Sequence, residues 1–195
     1  MSEELQRCGW TSTDPLMIEY HDHEWGEPCH DDRALFERLT LEAFQAGLSW
    51  LLILRKREHF RRAFDGWDVA RIAAYGEQDV ERLMNDPGIV RNRRKILSTI
   101  HNAQRFLDVS AEHGSFDRYI WSLVDGVPLS RPAAPTWSAV PAATPESEMI
   151  SKELRRRGFK MVGPIMCYSF MQSAGLVNDH VQDCFKTARP TDDGR

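Results

Sequence analysis

LTLEAFQAGLSWLLIL, residues 39–54, is one apolar run with a single charge in it, Glu42. A carboxylate inside such a run is costly to bury unless it meets a hydrogen-bond donor or a cation. Gly47 interrupts the helical pattern and Ser49 can cap a second helix beyond it, so the stretch predicts helix, tight turn, helix. Glu42 then lies near the end of the first helix and Trp50 at the start of the second. An acid, a large aromatic ring and a turn at one place read as the mouth of a pocket. The same spacing also suits a solvated stripe carrying Glu42 and a core position for Trp50, the ordinary arrangement on an amphipathic helix.

Working outward, Asp31 or Asp32 can cap the first helix, starting at Arg33 with Leu35, Phe36 and Leu39 on its buried side. The second helix runs from about Ser49 to Ala63. Its later half carries Arg55, Lys56, Arg57, Arg61 and Arg62, where the macrodipole favours cations. Asp68–Ala74 and Glu77–Met84 read as short helices split by Gly76. Asn85-Asp86-Pro87-Gly88 is a strong turn signal. Beyond it Ile96, Ile100, Ala103 and Leu107 recur at helical spacing. That helix opens with Arg91, Arg93, Arg94 and Lys95 and has no acid until Asp108. Cations at a helix N-terminus oppose the macrodipole by about 0.3–1 kcal/mol each at exposed sites. A bound phosphate reverses that penalty and uses the free backbone N–H groups. Helix, glycine turn and basic helix start therefore share the logic of a helix-hairpin-helix on a DNA backbone; a solvated basic face is the competing reading.

Further on, Phe116–Val124 reads as a short helix, and the five prolines between 125 and 145 as a long ordered loop between lobes. Thr144-Pro145 opens a helix closed by Gly158, with Arg155, Arg156 and Arg157 in its last turn. Gly163-Pro164 starts IMCYSFMQSA, apolar nearly all round, a buried helix stopped by Gly175. Cys167 is most simply a core cysteine there, and residues 186–195 read as a frayed tail. Residues 1–31 lack clear periodicity, although Asp14-Pro15 is a turn or helix-start signal. No segment reads as a strand, so the fold class is all-α.

Composition fits a soluble globular chain of 195 residues, 42% hydrophobic and 28% charged. The longest apolar run falls short of a membrane span, and the first ten residues lack an export signal core, so a cytoplasmic setting is expected. The net charge of −4 means that any nucleic-acid footprint must be local. Four cysteines without an export signal point to thiols or metal ligands rather than disulfides. His180-x3-Cys184 has zinc-ligand spacing, one helical turn apart. Cys8 with His21 or His23 can complete a Cys2His2 set that ties the chain ends together; His23, Cys29 and His30 compete for the role. Four protein ligands leave no open position, so such a zinc is structural. Four unrelated cysteines and surface histidines fit the spacing equally. Phosphate-loop, dinucleotide-binding, His-Glu-x-x-His and Gly-x-Ser-x-Gly signatures are missing.

RCGW (7–10), DPLMIEYHDHEWG (14–26), LEAFQAGLSW (41–50), PGIVRNRRKI (87–96), RRRGFKMVGP (155–164) and CYSFMQSAGLVNDH (167–180), in that order, together resemble the DNA-3-methyladenine glycosylase I family. The resemblance runs from about Cys8 to Cys184. It implies a helix-hairpin-helix glycosylase fold, with a hairpin lobe over 33–114 and a zinc-binding helical lobe made of 1–32 together with 115–195. It implies one structural Zn2+ per chain on Cys8, His21, His180 and Cys184. Glu42 becomes the catalytic acid that reads a flipped N3-methyladenine, with Trp50 stacking on the base and Tyr20, Trp10 and Met17 walling the pocket. Gly47 and Leu48 fall in the turn that approaches the gap in the duplex. Gly88, Arg91, Arg93, Arg94 and Lys95 hold the DNA backbone. Hydrolysis would leave an abasic site and free 3-methyladenine, with no strand nicking, and a monomer suffices. Two positions depart from the family: Met17 stands where a tyrosine is expected and Phe44 where a polar residue is expected. A non-catalytic zinc-stapled DNA-binding module and a zinc hydrolase with an open metal position are the competing functions.

Overall fold

The computed structural model describes residues 5–187, and within them every regular element is helical. The α-helices are α1 (Pro15–His23), α2 (Asp32–Gln45), α3 (Trp50–Ala63), α4 (Val69–Ala73), α5 (Glu77–Met84), α6 (Arg93–His113), α7 (Phe116–Ser122), α8 (Pro145–Arg156) and α9 (Pro164–Ser173). A lone bridge joins Leu129 to Val177. No helix among the described residues is long and apolar enough to cross a membrane. The expected frayed tail lies outside the described residues from 188 onward.

Caps set the helix starts. Asp14, Asp31, Ser49, Asp68, Asn92, Ser115 and Thr144 each accept a hydrogen bond from a backbone N–H of the first turn. Each satisfies one of the orphan donors at a helix N-terminus. Asp14 and Pro15 thus start a helix inside the stretch that showed no periodicity.

The centre of the molecule is α2, which packs against α3, α6, α7 and α9. Nine of its residues are buried, including Leu35, Phe36, Leu39, Leu41 and Phe44. Fully burying side chains of this size is worth roughly 1.5–3 kcal/mol each. A second, smaller cluster unites Cys8, Met17, Tyr20 and Trp25 with Leu54, Val181 and Cys184, so both chain ends close over α3. Buried Glu37 on α2 receives Arg57 Nε at 2.7 Å and Arg61 Nε at 3.1 Å from α3, while Arg57 Nη1 reaches Glu24 at 2.6 Å. Specific partners, not the macrodipole alone, therefore explain much of the cationic half of α3. On α6 the buried stripe is Ile96, Ile100, Ala103 and Phe106; Leu107, expected on it, is exposed because Phe106 takes the core position.

Candidate functional site: an aromatic cavity, a buried acid and a Cys2His2 cluster

Helix α2 ends at Gln45, and Ala46 leaves the helical region at φ −49° and ψ 114°. Gly47 comes next at φ +83°, the left-handed region that glycine enters without penalty. The Leu48 amide donates to the Gln45 carbonyl at 2.7 Å, and Ser49 caps α3. This turn sets Glu42 and Trp50 on the rim of one cavity of about 310 Å³. That volume lies in the range of small-ligand pockets. Trp10, Met17 and Tyr20 line it, together with Trp25, Gln45, Trp137, Ser169 and Gln172. Trp25 falls within the stretch DPLMIEYHDHEWG (14–26) but was not singled out there. Trp137 sits in the proline-rich loop, where no periodicity could flag it.

The aromatic rings pack at angles around the opening. Tyr20 and Trp50 have centroids 5.1 Å apart at 49°, Trp10 and Trp25 5.1 Å at 66°, and Trp25 and Trp137 5.8 Å at 72°. The indole N–H groups of Trp10 and Trp50 are buried without a hydrogen-bond partner among the described residues. Met17 is buried and contributes a thioether where a ring with a hydroxyl was expected. Phe44 has no part in the cavity. Its ring is fully buried against Phe60 at 4.8 Å, so that departure from the family touches core packing and leaves the pocket's shape alone.

Glu42 is 6% exposed, which excludes the solvated-stripe reading. Burial pushes its carboxyl up to about 8, and the nearby Ser173 hydroxyl and Arg38 charge pull it only partway back. Arg38, one turn earlier on α2, is engaged by the Ser173 and Glu27 carbonyls. In the free protein at neutral pH the acid is therefore mostly protonated. Tyr20 is also driven well above the ordinary phenol range, chiefly by burial and then by Glu42.

Behind this wall the ligand atoms of Cys8, His21, His180 and Cys184 all lie within 4.8 Å of one another, and all four residues are buried. Cys184 Sγ is 3.4 Å from His21 Nε2 and 3.3 Å from His180 Nδ1, and Cys8 Sγ is 3.5 Å from His180 Nδ1. The other ring nitrogens have outer partners: His21 Nδ1 faces Asp22 at 2.8 Å, and His180 Nε2 faces the Trp25 carbonyl at 3.3 Å. Arg7 and then His21 hold the Asp22 carboxyl at about 2. This donor set can hold a metal ion. His23, 67% exposed, and His30, paired with Asp117, point elsewhere, as does Cys29. The one-turn-of-helix reasoning for His180 and Cys184 is corrected: no helix forms there, and a turn after Val181 brings the two together. Gly26 passes so close that a Cβ there would meet His180 Nε2 at 2.9 Å.

The basic turn joins α5 to α6. Gly88 N–H donates to Asp86 Oδ1 at 2.7 Å, and Lys56 of α3 donates to the carbonyls of Pro87 and Gly88 at 2.9 and 3.1 Å. Arg91 and Arg94 are exposed, and Arg93 is exposed but pairs with Glu77 at 2.6 Å. Lys95 departs from expectation. It is 8% exposed, and its Nζ donates to the Phe44 and Ala46 carbonyls at 2.7 and 2.8 Å. It faces inward because Asn92 caps α6 at the Lys95 amide, which turns this side chain toward α2. It is no surface phosphate contact.

Comparison with known proteins agrees with this architecture. The family described as methyladenine glycosylase matches residues 10–187. DNA-3-methyladenine glycosylase 1 of Escherichia coli (strain K12) is 49% identical over 180 residues, covering 92% of this chain and 96% of the relative. A crystal structure of 3-methyladenine DNA glycosylase I superposes with TM-score 0.90 at 50% identity, covering 94% of this chain and all of that one. The Staphylococcus aureus 3-methyladenine DNA glycosylase I, solved to explain its recognition of 3-methyladenine, gives TM-score 0.89 at 37% identity, covering 95% of this chain and 98% of that one. The family match and these relatives make this helical protein an enzyme of the DNA glycosylase class, a hydrolase of N-glycosidic bonds. The chain belongs to the methyladenine glycosylase family.

Proposed function

We propose that the protein excises N3-methyladenine from alkylated double-stranded DNA, reading the extruded base between Glu42 and Trp50 and leaving an abasic site. The observation that carries this reading is a buried carboxyl group beside an indole in a cavity of about 310 Å³. Extruding a base from the stack costs a few kcal/mol. Stacking on Trp50 recovers part, and a cationic ring over an aromatic face adds about 0.5–2 kcal/mol. N3-methyladenine in DNA is cationic and its glycosidic bond is already weakened, so discrimination matters more than strong acid–base power. A cationic base beside Glu42 favours its ionised form, so the carboxyl gives its proton to solvent, and the carboxylate then attracts the ring and accepts from its exocyclic amine. Neutral adenine meets a neutral acid and gains no Coulomb term. The bond from the sugar C1′ to the base breaks and its electron pair leaves with the base, which departs neutral; the neighbouring phosphates stabilise the oxocarbenium-like sugar, and water adds at C1′ and loses its proton to solvent. With no nucleophile assigned, the chemistry is monofunctional. Tyr20, Trp10 and Met17 bound the base.

In this reading the hairpin between α5 and α6 is a helix-hairpin-helix. Gly88 with Arg91, Arg93 and Arg94 tracks the DNA backbone, and Gly47 and Leu48, 36% exposed, enter the gap left by the base. Residues 33–114 make the hairpin lobe, and 1–32 with 115–195 the lobe that carries the metal. The Cys2His2 set suits one structural Zn2+. Tetrahedral zinc with S and N ligands at about 2.3 and 2.0–2.1 Å sets ligand atoms roughly 3.3–3.8 Å apart. Three of the separations, 3.3–3.5 Å, match this and the whole set lies within 4.8 Å, and the Asp22 and Trp25 partners are the outer contacts such histidines use. The metal would supply a clamp on both chain ends and no chemistry at the base. The protein acts as a monomer in the cytoplasm. Incubating it with methylated DNA and identifying the liberated bases by mass spectrometry tests the proposal: 3-methyladenine is expected in the supernatant, and its absence refutes the activity.

A further inference from the structure

Lys95 is a buried cation without a carboxylate partner among the described residues. Among the described residues its ammonium donates only to the carbonyls of Phe44 and Ala46, at 2.7 and 2.8 Å. The Phe44 carbonyl belongs to the last turn of α2 and the Ala46 carbonyl to the residue that ends it, where a helix leaves such groups unpaired and negative. Burial alone lowers the tendency of Lys95 to hold its proton. Its own backbone stands in the first turn of α6, fixed by the Asn92 cap at 3.1 Å. One residue earlier, Arg94 is exposed to solvent. The side chain thus spans from the basic hairpin to the turn that carries Gly47 and Leu48. Lys56 makes the parallel link from α3 to the hairpin carbonyls of Pro87 and Gly88. Two lysines, each on carbonyl oxygens, clamp the hairpin to the helix–turn–helix around the cavity.

We infer that Lys95 is a positioning residue for base extrusion: it fixes the Gly47–Leu48 turn to the DNA-gripping hairpin, so that backbone grip and intrusion into the duplex occur as one rigid act. The inference rests on the function proposed above but not on the acid at the base. An ordered turn lowers the cost of inserting Leu48, and misplacing such a group by about 1 Å can cost on the order of 10²-fold in rate. Free 3-methyladenine needs no insertion.

The test compares wild type with Lys95→Met, which keeps the apolar stem and removes the donors, and Lys95→Arg, which keeps donors. Hydrogen exchange of the Leu48 amide, now bonded to Gln45 at 2.7 Å, reports the turn directly and needs no catalysis. Single-turnover release from a paired duplex and from a bubble with the lesion already unpaired reports extrusion. For Lys95→Met, faster exchange at Leu48, free-base affinity unchanged, duplex release reduced about 10²-fold and bubble release much less reduced are expected. Arginine should restore slow exchange and part of the duplex rate. Wild-type exchange at Leu48 in the methionine variant overturns the inference, as does equal loss on duplex and bubble or a parallel loss of free-base affinity. If wild type releases no base at all, the proposed activity fails instead, and the exchange comparison still judges Lys95.

Discussion

Replacing Glu42 with glutamine is expected to abolish recognition of the cationic base while making the free protein more stable, with a signature in pH. The carboxyl titrates at about 8 in the fold, against 4.5 for an exposed glutamate, because burial penalises its charged form. A group whose folded value is raised contributes its full stability below 4.5 and loses it progressively up to about 8. At about 1.4 kcal/mol per pH unit the total is about 5 kcal/mol, and about 3 kcal/mol is already lost at pH 7. These are upper values, because water in the open cavity softens the penalty. Glutamine keeps the shape and never ionises, so its stability carries no such slope. Wild type and Glu42→Gln should unfold together near pH 5 and diverge by up to about 4–5 kcal/mol at pH 8. For a chain of this size that is roughly 10–15 °C in Tm. Urea unfolding across pH 5–8.5 reads it directly. A difference between the two proteins that stays flat with pH would refute the burial argument, and wild-type affinity of the variant for 3-methyladenine by calorimetry would refute the role of the acid.

Other outcomes rest on the same geometry. Trp50→Ala should weaken free 3-methyladenine by about 1–3 kcal/mol through lost stacking, read by calorimetry, with the rest of the cavity intact. Arg94→Ala should weaken binding to undamaged duplex DNA and reduce the slope of log affinity against log salt by about 1, whereas Lys95→Arg should leave that slope unchanged. Chelation, or Cys184→Ala, should lower Tm and release bound metal measurable by mass spectrometry; survival of full stability after metal removal would exclude the clamp.

The helical frame was legible because its signals are local. Capping residues, Gly47, Gly76 and the Asn85–Gly88 turn each state their own geometry, and the starts they mark fall within a residue or two of those observed. The apolar run around Glu42 could be read as a helix pair but not oriented. Whether an acid at that spacing points out or in depends on what faces it, here α9 and the N-terminal side chains that share the cavity with Glu42. Lys95 fails for the same reason: three neighbouring cations are exposed, and only the α6 phase set by Asn92 turns the fourth inward. The His180–Cys184 pair was found through the wrong element, since spacing of four also fits an irregular turn. Trp137 gave no signal, because an aromatic in a proline-rich loop acquires its role from a partner distant in sequence.

Of the chain's six tryptophans, four (Trp10, Trp25, Trp50 and Trp137) line the cavity, while Trp67 and Trp121 are enclosed in the main core. Ultraviolet-excited emission from this protein is therefore weighted toward one spot, without any dye being attached. A purine stacking there should quench it, and the rings of His21 and His180, centroids 6.3 and 4.8 Å from Trp25, put the Cys2His2 cluster within range of the same signal. A single cuvette titration can thus follow both occupants, the base from the front and the metal from behind.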